Sequence, residues 1–383
     1  MNSKPRIAVA GGGLGGSLLA ILLQRAGYEC TVYEQAPAMA RVGAGINVAP
    51  NSTRIFRALG LEPRMRQAGI QARLKFSREW DSGKELFTVP VPDLVERYGA
   101  PFFAFHRGDL QEILTSELKP GTLRLGKRLV GLEPRGEAVR LVFADGTSAE
   151  ADMVAGADGV HSKVRSLILG ITGAVYHGLS AYRAILPTAA VGDLRIDDNC
   201  KWWAPDRYFL NYFMSERRDE LYWITGTPEP WGHEDFAVRP GDLDAVREAH
   251  AGFHPEVMRM IDATTSCTRW AMLEREPFRP WSEGAVVLLG DACHPTTPHM
   301  GQGAGMALED AVVLARSLEA ANHDLRRAFA IYEEARFERC SHIQRESHKN
   351  EWTKTGMDHG WLYGYDCMTV ALPDPARHEA RAV

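Results

Sequence analysis

Three stretches of this 383-residue chain carry residue types at spacings that could do chemistry. The first is Gly11-Gly12-Gly13-Leu14-Gly15-Gly16, set between a β-like run at 6–10 and an apolar helical run at 17–23. Glycines spaced as Gly11, Gly13 and Gly16 allow a tight turn and a close backbone approach to a pyrophosphate at a helix N-terminus, where unpaired N–H groups favour an anion. A second strand, 30–33, ends in Glu34, 21 residues after Gly13, where an acid accepts hydrogen bonds from a ribose. Together they predict a dinucleotide site. The second stretch is an apolar run at 152–156 leading to Ala157-Asp158-Gly159 and a cationic turn with Lys163 and Arg165. An acid there is either a local helix cap or part of a cleft that a ligand crosses. The third is an apolar strand at 285–289 running into Gly290-Asp291, His294-Pro295 and the glycine-rich 296–305, which holds Gly301, Gly303 and Ala304. Its acid suits a hydroxyl-bearing chain, and its N–H groups suit an anion or a flavin ring.

These groups need elements to place them. After Glu34 the chain does not continue a plain strand–helix alternation. It enters a loop, 41–47, with Arg41, two glycines (Gly43 and Gly45) and Asn47, and then a helix expected to be capped near Asn51, Ser52 or Thr53. Farther on, Arg107 precedes an expected cap at Asp109. Residues 200–227 form strand-like segments dense in aromatics, with turn residues between 215 and 220. If 207–213 is a strand, Tyr208, Leu210 and Tyr212 share one face, either toward a ligand or as sheet packing. Cys200 reads as a pocket wall, with Lys201 on the opposite face. Helical pattern resumes over 325–347.

Composition narrows the classes. Hydrophobic (45%) and charged (24%) fractions are ordinary for a globular chain, and a formal net charge of -5 lacks the basic excess of a nucleic-acid binder. Residues 1–10 do not read as a signal peptide, and no run approaches the roughly 18 apolar residues of a membrane helix. Six scattered cysteines without a CxxC pair indicate thiols in a reducing cytoplasm, and His294 has no metal-spaced partner cluster, so no metal is expected.

In order and spacing, Gly11-x-Gly13-x-x-Gly16 with Glu34, then Ala157-Asp158-Gly159, then Gly290-Asp291 with Pro295, resemble the single-component flavin aromatic hydroxylases. That family includes the para-hydroxybenzoate and salicylate hydroxylases. Further likeness lies in Tyr33-Glu34-Gln35-Ala36-Pro37, His106-Arg107-Gly108-Asp109-Leu110, Cys200-Lys201-Trp202-Trp203, Pro298-His299-Met300 and Gly360-Trp361-Leu362-Tyr363-Gly364-Tyr365-Asp366. It covers nearly the whole chain and looks most like the branch acting on 6-hydroxynicotinate.

The resemblance implies an α/β fold with an α+β insert. A Rossmann-like FAD domain of the para-hydroxybenzoate hydroxylase type would comprise 1–72, 101–178 and 268–345. An antiparallel-sheet substrate domain would comprise 73–100 and 179–267, with a C-terminal helical segment and tail at 346–383. It implies FAD as cofactor, NADH or NADPH and O2 as co-substrates, and a small aromatic acid as substrate, in a cytoplasmic monomer or homodimer that binds neither nucleic acid nor membrane. FAD contacts would come from Gly11, Gly13, Leu14, Gly15, Gly16, Glu34, Gln35, Arg41, Gly45, Arg107, Asp158, Asp291, Pro295, Gly301, Gly303 and Ala304. The catalytic set would be His299, Tyr212, Asn47, Tyr208 and Cys200. The reduced flavin would capture O2 as a hydroperoxide, an electrophile that needs an electron-rich ring. A carboxylate at the attacked carbon would leave as CO2. Two departures stand out: the nicotinate-type enzymes have His where this chain has Asn47 and Tyr208, and Asn cannot act as a base. Salicylate-type hydroxylation, or a flavin oxidoreductase that does not hydroxylate, are the other readings.

Overall fold

Short, fully apolar strands flanked by glycine turns can only be satisfied deep inside a protein, and that is where they lie. The computed structural model describes residues 4–41, 44–351 and 359–374. Val42 and Gly43 of the expected cofactor loop, and the end of the polar tail from 375, fall outside the described residues. A six-stranded sheet has the order Ser282–Glu283, Val286–Leu288, Met153–Gly156, Ile7–Ala10, Cys30–Tyr33, Leu123–Arg124, all parallel except the Ser282 edge. Its central strands are buried on both faces, as parallel strands covered by helices must be. Register sets Ala10 beside Gly156 and Gly156 beside Leu288. The three motifs, far apart in sequence, therefore leave the sheet at one edge.

A second sheet has eight strands, in the order Arg239–Pro240, Thr268–Glu274, Val175–Pro187, Glu220–Pro228, Tyr208–Phe213, Asn199–Trp203, Leu74–Glu79, Glu85–Pro90. It is antiparallel except where Asn199–Trp203 runs parallel to Leu74–Glu79. Each sheet has its own buried apolar cluster, the second rich in Trp and Tyr. The sheet recruits Val175–Pro187 and Thr268–Glu274, so the boundaries expected at 178/179 and 267/268 are displaced outward. The helix Val91–Tyr98 sends Val91 and Leu94 into the first cluster instead. Hydrophobic alternation marks a strand but not the sheet it joins.

Two helix starts also differ from expectation. Pro50, not Asn51, Ser52 or Thr53, begins the helix Pro50–Ala58, because its missing N–H costs nothing at the first position. His106, not Asp109, caps Arg107–Thr115, its Nδ1 accepting from the Gly108 N–H. All six cysteines are buried and unpaired. No helix of the described residues is long and apolar enough to cross a membrane.

The two long C-terminal helices, Gly303–Ala320 and Leu325–Lys349, enclose a buried ionic cluster. Asp310 accepts from the Gly290 N–H (2.9 Å), His294 Nε2 (2.6 Å) and Arg336 Nε (2.8 Å). Glu309 accepts from Asn51, Arg336 and Arg339. Burial opposes both charges, but the neighbouring cations prevail and hold each carboxyl below its usual range. Tertiary contacts also bring His294, Asp310 and Cys340 together as a metal-type triad, but the Arg336 guanidinium occupies that corner. Removing one partner of a buried ionic cluster strands the others, so Arg336→Met should lower unfolding free energy by about 3–5 kcal/mol in urea titrations. A loss within about 0.5 kcal/mol, as for a surface site, would show that the cluster does not hold the helices.

Candidate active site

The glycine turn has a different use for each glycine. Gly11 has φ +108° and lies where a Cβ would sit 2.3 Å from the Ala157 carbonyl oxygen. It lets the first two motifs touch but does not reach the adjoining cavity. Gly16 is excluded from growing a side chain by the Gly11 carbonyl, 2.1 Å from its Cβ position. Gly13 has nothing within 4 Å and, with Leu14, Gly15 and Gly16, lines a cavity of about 680 Å³. Glu34 turns its carboxylate to the backbone, accepting from Gly12 N–H and Ala36 N–H at 2.8 Å each. It shapes the turn from outside the cavity lining, and Gln35 beside it is exposed.

The acid of the second motif is a cap. Asp158 accepts from Ser162 Oγ (2.5 Å), Lys163 N–H (2.7 Å) and Val164 N–H (2.9 Å), starting the helix Lys163–Leu169. Its neighbours Ala157, Gly159, Val160 and His161 line the cavity, while Asp158 does not. Three nearby donors already use the oxygens of Asp158. Arg165 is buried and ties the motif to the third one, donating to the carbonyls of Val160 and Ala292.

Asp291 is the opposite case. Its carboxylate is open to the cavity although protein surrounds it, and it takes no hydrogen bond from any described residue. Burial within the protein envelope raises its pKa, countered by the charges of His294 and Arg107. Pro295, Gly301, Gly303 and Ala304 continue the wall into the N-terminus of the helix Gly303–Ala320; Arg107 and Gly45 stand with them. Arg41 does not. It pairs with Asp109 and Glu220 at 2.7 Å each and lines a separate depression with Pro187. Two nearby carboxylates outcompete the cavity for its charge.

Opposite lies the eight-stranded sheet. Its register pairs Asn199 with Tyr212 and Tyr222, and Lys201 with Leu210, Ile224 and Arg183. All of these side chains line the cavity, with Tyr208. Cys200, with 1% of its surface exposed, faces the other side among Trp202, Phe209 and Trp223. Burial raises its thiol pKa well above normal. The expected alternation of Cys200 and Lys201 holds, but it is Lys201 that faces inward. The short turn between Trp203 and Tyr208 was the available signal: pairing those two puts 201, not 200, in phase with Tyr208, Leu210 and Tyr212. Sequence reasoning also missed Lys75, Arg183 and Tyr222 in the lining.

His299 sits in the turn Pro298–Met300, its ring 5.6 Å from that of Tyr208. Nδ1 lies 2.9 Å from the Ser347 carbonyl, which can only accept, so Nδ1 carries the proton and Nε2 the lone pair. Nε2 has no described partner. Burial first, then the Lys201 charge, push its pKa down to about 3. Asn47 also leaves a buried Oδ1 without a partner in the same lining. Burial raises the Tyr208 and Tyr212 hydroxyls and takes Tyr222 to about 12, so all three are neutral phenols. Four strong cations line the cavity (Lys75, Arg107, Arg183 and Lys201), and Asp291 is the one carboxylate in the described lining.

Residues 4–345 match the family described as FAD binding domain. The chain is 46% identical over 382 residues to 6-hydroxynicotinate 3-monooxygenase of Pseudomonas fluorescens, covering 98% of each chain. It is 44% identical to the Bordetella bronchiseptica enzyme of the same name, covering 99% of this chain and 100% of that one. The chain belongs to the FAD-dependent aromatic hydroxylases. A solved structure, Klebsiella pneumoniae HpxO complexed with FAD and uric acid, shares the fold at a TM-score of 0.81 and 28% identity, covering 94% of this chain and 93% of that one. This hydroxylase is thus an FAD-dependent monooxygenase using NAD(P)H and O2. Its own geometry fits the cofactor: Gly13 faces open space, two helix N-termini meet at the cavity, and Asp291 offers an unbonded carboxylate.

A neutral His299 has a consequence for stability. Its ordinary pKa is about 6.5 in an unfolded chain, against about 3 here. The unfolded state therefore binds the proton first. The stabilisation is complete above pH 6.5 and is lost as pH falls toward 3. Between pH 7 and pH 5 this one group should cost about 2 kcal/mol of unfolding free energy, and His299→Gln should remove that part of the slope. A variant whose stability difference from wild type is the same at both pH values would refute the neutral-histidine description.

Proposed function

We propose that this monooxygenase hydroxylates a planar hydroxy-aromatic or hydroxy-heteroaromatic carboxylic acid of the 6-hydroxynicotinate type, with loss of CO2 where the carboxyl-bearing carbon is attacked. The observation that carries the reading is the cavity itself. Cations outnumber acids there four to one in a protein of formal charge -5, over a floor of Leu210, Ile224 and three phenols. Such a site favours a flat anion. The six-stranded-sheet body is proposed to hold FAD and the eight-stranded sheet to hold substrate.

Gly13 to Gly16 would hold the FAD pyrophosphate, Asp291 a hydroxyl of its ribityl chain, and the Gly301–Ala304 N–H groups and Arg107 its anionic edges. Once bound and reduced by NAD(P)H, FAD supplies an electrophilic oxygen atom derived from O2. The remaining work falls to side chains. The ring rests on Leu210 and Ile224 between Tyr208 and Tyr212, whose neutral hydroxyls can donate or accept. The substrate hydroxyl must lose its proton to become electron-rich. His299 Nε2 is the lone-pair nitrogen that accepts the hydrogen bond of this hydroxyl, with Nδ1 anchored on Ser347 so that the ring cannot turn; its pKa of about 3 makes it an acceptor and not the base. Asn47 replaces an imidazole with an amide that orients but does not exchange protons. Aromatic walls exclude water from the reacting edge.

Asp291→Ala should weaken FAD retention roughly ten- to a hundredfold, the worth of one charged hydrogen bond, as measured by flavin dissociation on dilution. FAD held as tightly as in wild type would remove Asp291 from the assignment.

A panel of hydroxypyridine and hydroxybenzoate acids tests the substrate class. At least one should speed NADH and O2 consumption with stoichiometric hydroxylated product, whereas no stimulation by any would overturn it. Asn47→His with Tyr208→His should raise turnover of 6-hydroxynicotinate relative to the best native substrate. Efficient wild-type turnover of 6-hydroxynicotinate that this pair only damages would show that the two imidazoles do not set specificity.

A further inference from the structure

Buried arginines in this protein are matched to acceptors. Arg165 donates to the carbonyls of Val160, Ile171, Gly173 and Ala292, and Arg336 to Asp310, Glu309 and Met306. Arg183 is the exception in the cavity wall. Its guanidinium lies over the Trp270 ring at 4.6 Å, its Nε is buried without an acceptor, and no described carboxylate lies within ion-pairing distance. Its charge is felt by the hydroxyls of Tyr208, Tyr212 and Tyr222, all of the same lining. The Lys75 ammonium likewise rests on the Phe102 ring, and that of Lys201 lies over Trp203 and Tyr208 and donates to Asn350, but a rounded ammonium lacks the planar fork of Arg183. A planar fork with no carboxylate in reach suits a planar carboxylate, which it can hold through two parallel N–H···O bonds.

Register then sets the orientation. Arg183 is two strands from Leu210 through Ile224, and Tyr208 is two residues along from Leu210. With strands about 4.8 Å apart and residues about 3.4 Å along a strand, the Cα atoms of Arg183 and Tyr208 are about 12 Å apart. His299 packs against Tyr208 at the far end of that span. Resting on the substrate class proposed above, we propose that Arg183 anchors the substrate carboxylate and thereby selects rings whose hydroxyl lies opposite the carboxyl over rings where the two are adjacent. Groups on neighbouring carbons would both crowd to one end, leaving either the anchor or His299 without its partner.

Binding to the FAD-loaded enzyme, read from the change in flavin absorbance, tests this with three rings: 6-hydroxynicotinate (groups opposed), 2-hydroxynicotinate (groups adjacent) and 2-hydroxypyridine (no carboxyl). Wild type should bind the opposed isomer most tightly. Arg183→Gln should weaken 6-hydroxynicotinate about ten- to a hundredfold while changing 2-hydroxypyridine by less than about twofold, and Arg183→Lys should recover part of the loss. Equal weakening of both rings, no weakening of either, or wild-type preference for the adjacent isomer overturns the assignment. Wild type that binds none of the three overturns the substrate class and this assignment with it. Wild type that binds 6-hydroxynicotinate tightly, with Arg183→Gln doing so equally well, overturns Arg183 alone.

Discussion

One helix, Leu325–Lys349, braces nearly every part of the active site through groups that are buried and charged or hydrogen-bonded. Arg336 engages Asp310, which in turn holds the Gly290 N–H and His294 and so sets the loop that presents Asp291. Arg339 engages Glu309, which reaches Asn51 just after the strand that carries Asn47. Gln344 binds the Pro295 carbonyl, and the Ser347 carbonyl fixes the tautomer of His299. In a low-dielectric interior each of these contacts is strong if complete and costly if broken. Asp291, Pro295 and His299 themselves lie in loops and short turns, which are mobile by default. Rigidity is lent to them by the helix behind.

The cavity is electrostatically unlike the protein that contains it. A mildly acidic chain concentrates cations on one inner wall and keeps the titratable tyrosines and His299 between them neutral. Burial does both jobs. It raises the tyrosine pKa values and lowers that of His299, because each charged form would lose its hydration. It also leaves the field of Arg183 and Lys201 little screened by water. A flat anion therefore finds its attraction and an uncharged acceptor in the same space, which electrophilic attack on an ionised ring requires.

Local sequence was enough for the three nucleotide motifs, the aromatic strands and the long C-terminal helix. Each is announced by residues adjacent in the chain: a glycine spacing, a period of two, a period of 3.6. The same local information extended to Tyr208, Leu210 and Tyr212 sharing a face, and to Asn47 and His299 as candidates beside them. It did not reach the partner of a side chain. Asp158 and Arg41 carried the right types for a ligand, but donors and carboxylates brought close by folding had the first claim on them.

Facing is likewise a tertiary property. Whether Cys200 or Lys201 looks into the cavity depends on a pairing across the sheet, and a slip of one residue reverses it. Arg183 could not be singled out from the chain, since its distinction is the absence of a carboxylate within reach in three dimensions. By itself, then, the sequence determined the elements, the cofactor turns and the family to which they belong. The tertiary structure decided which charges are spent inside the protein and which remain for a ligand, because that depends on distances between residues up to hundreds of positions apart.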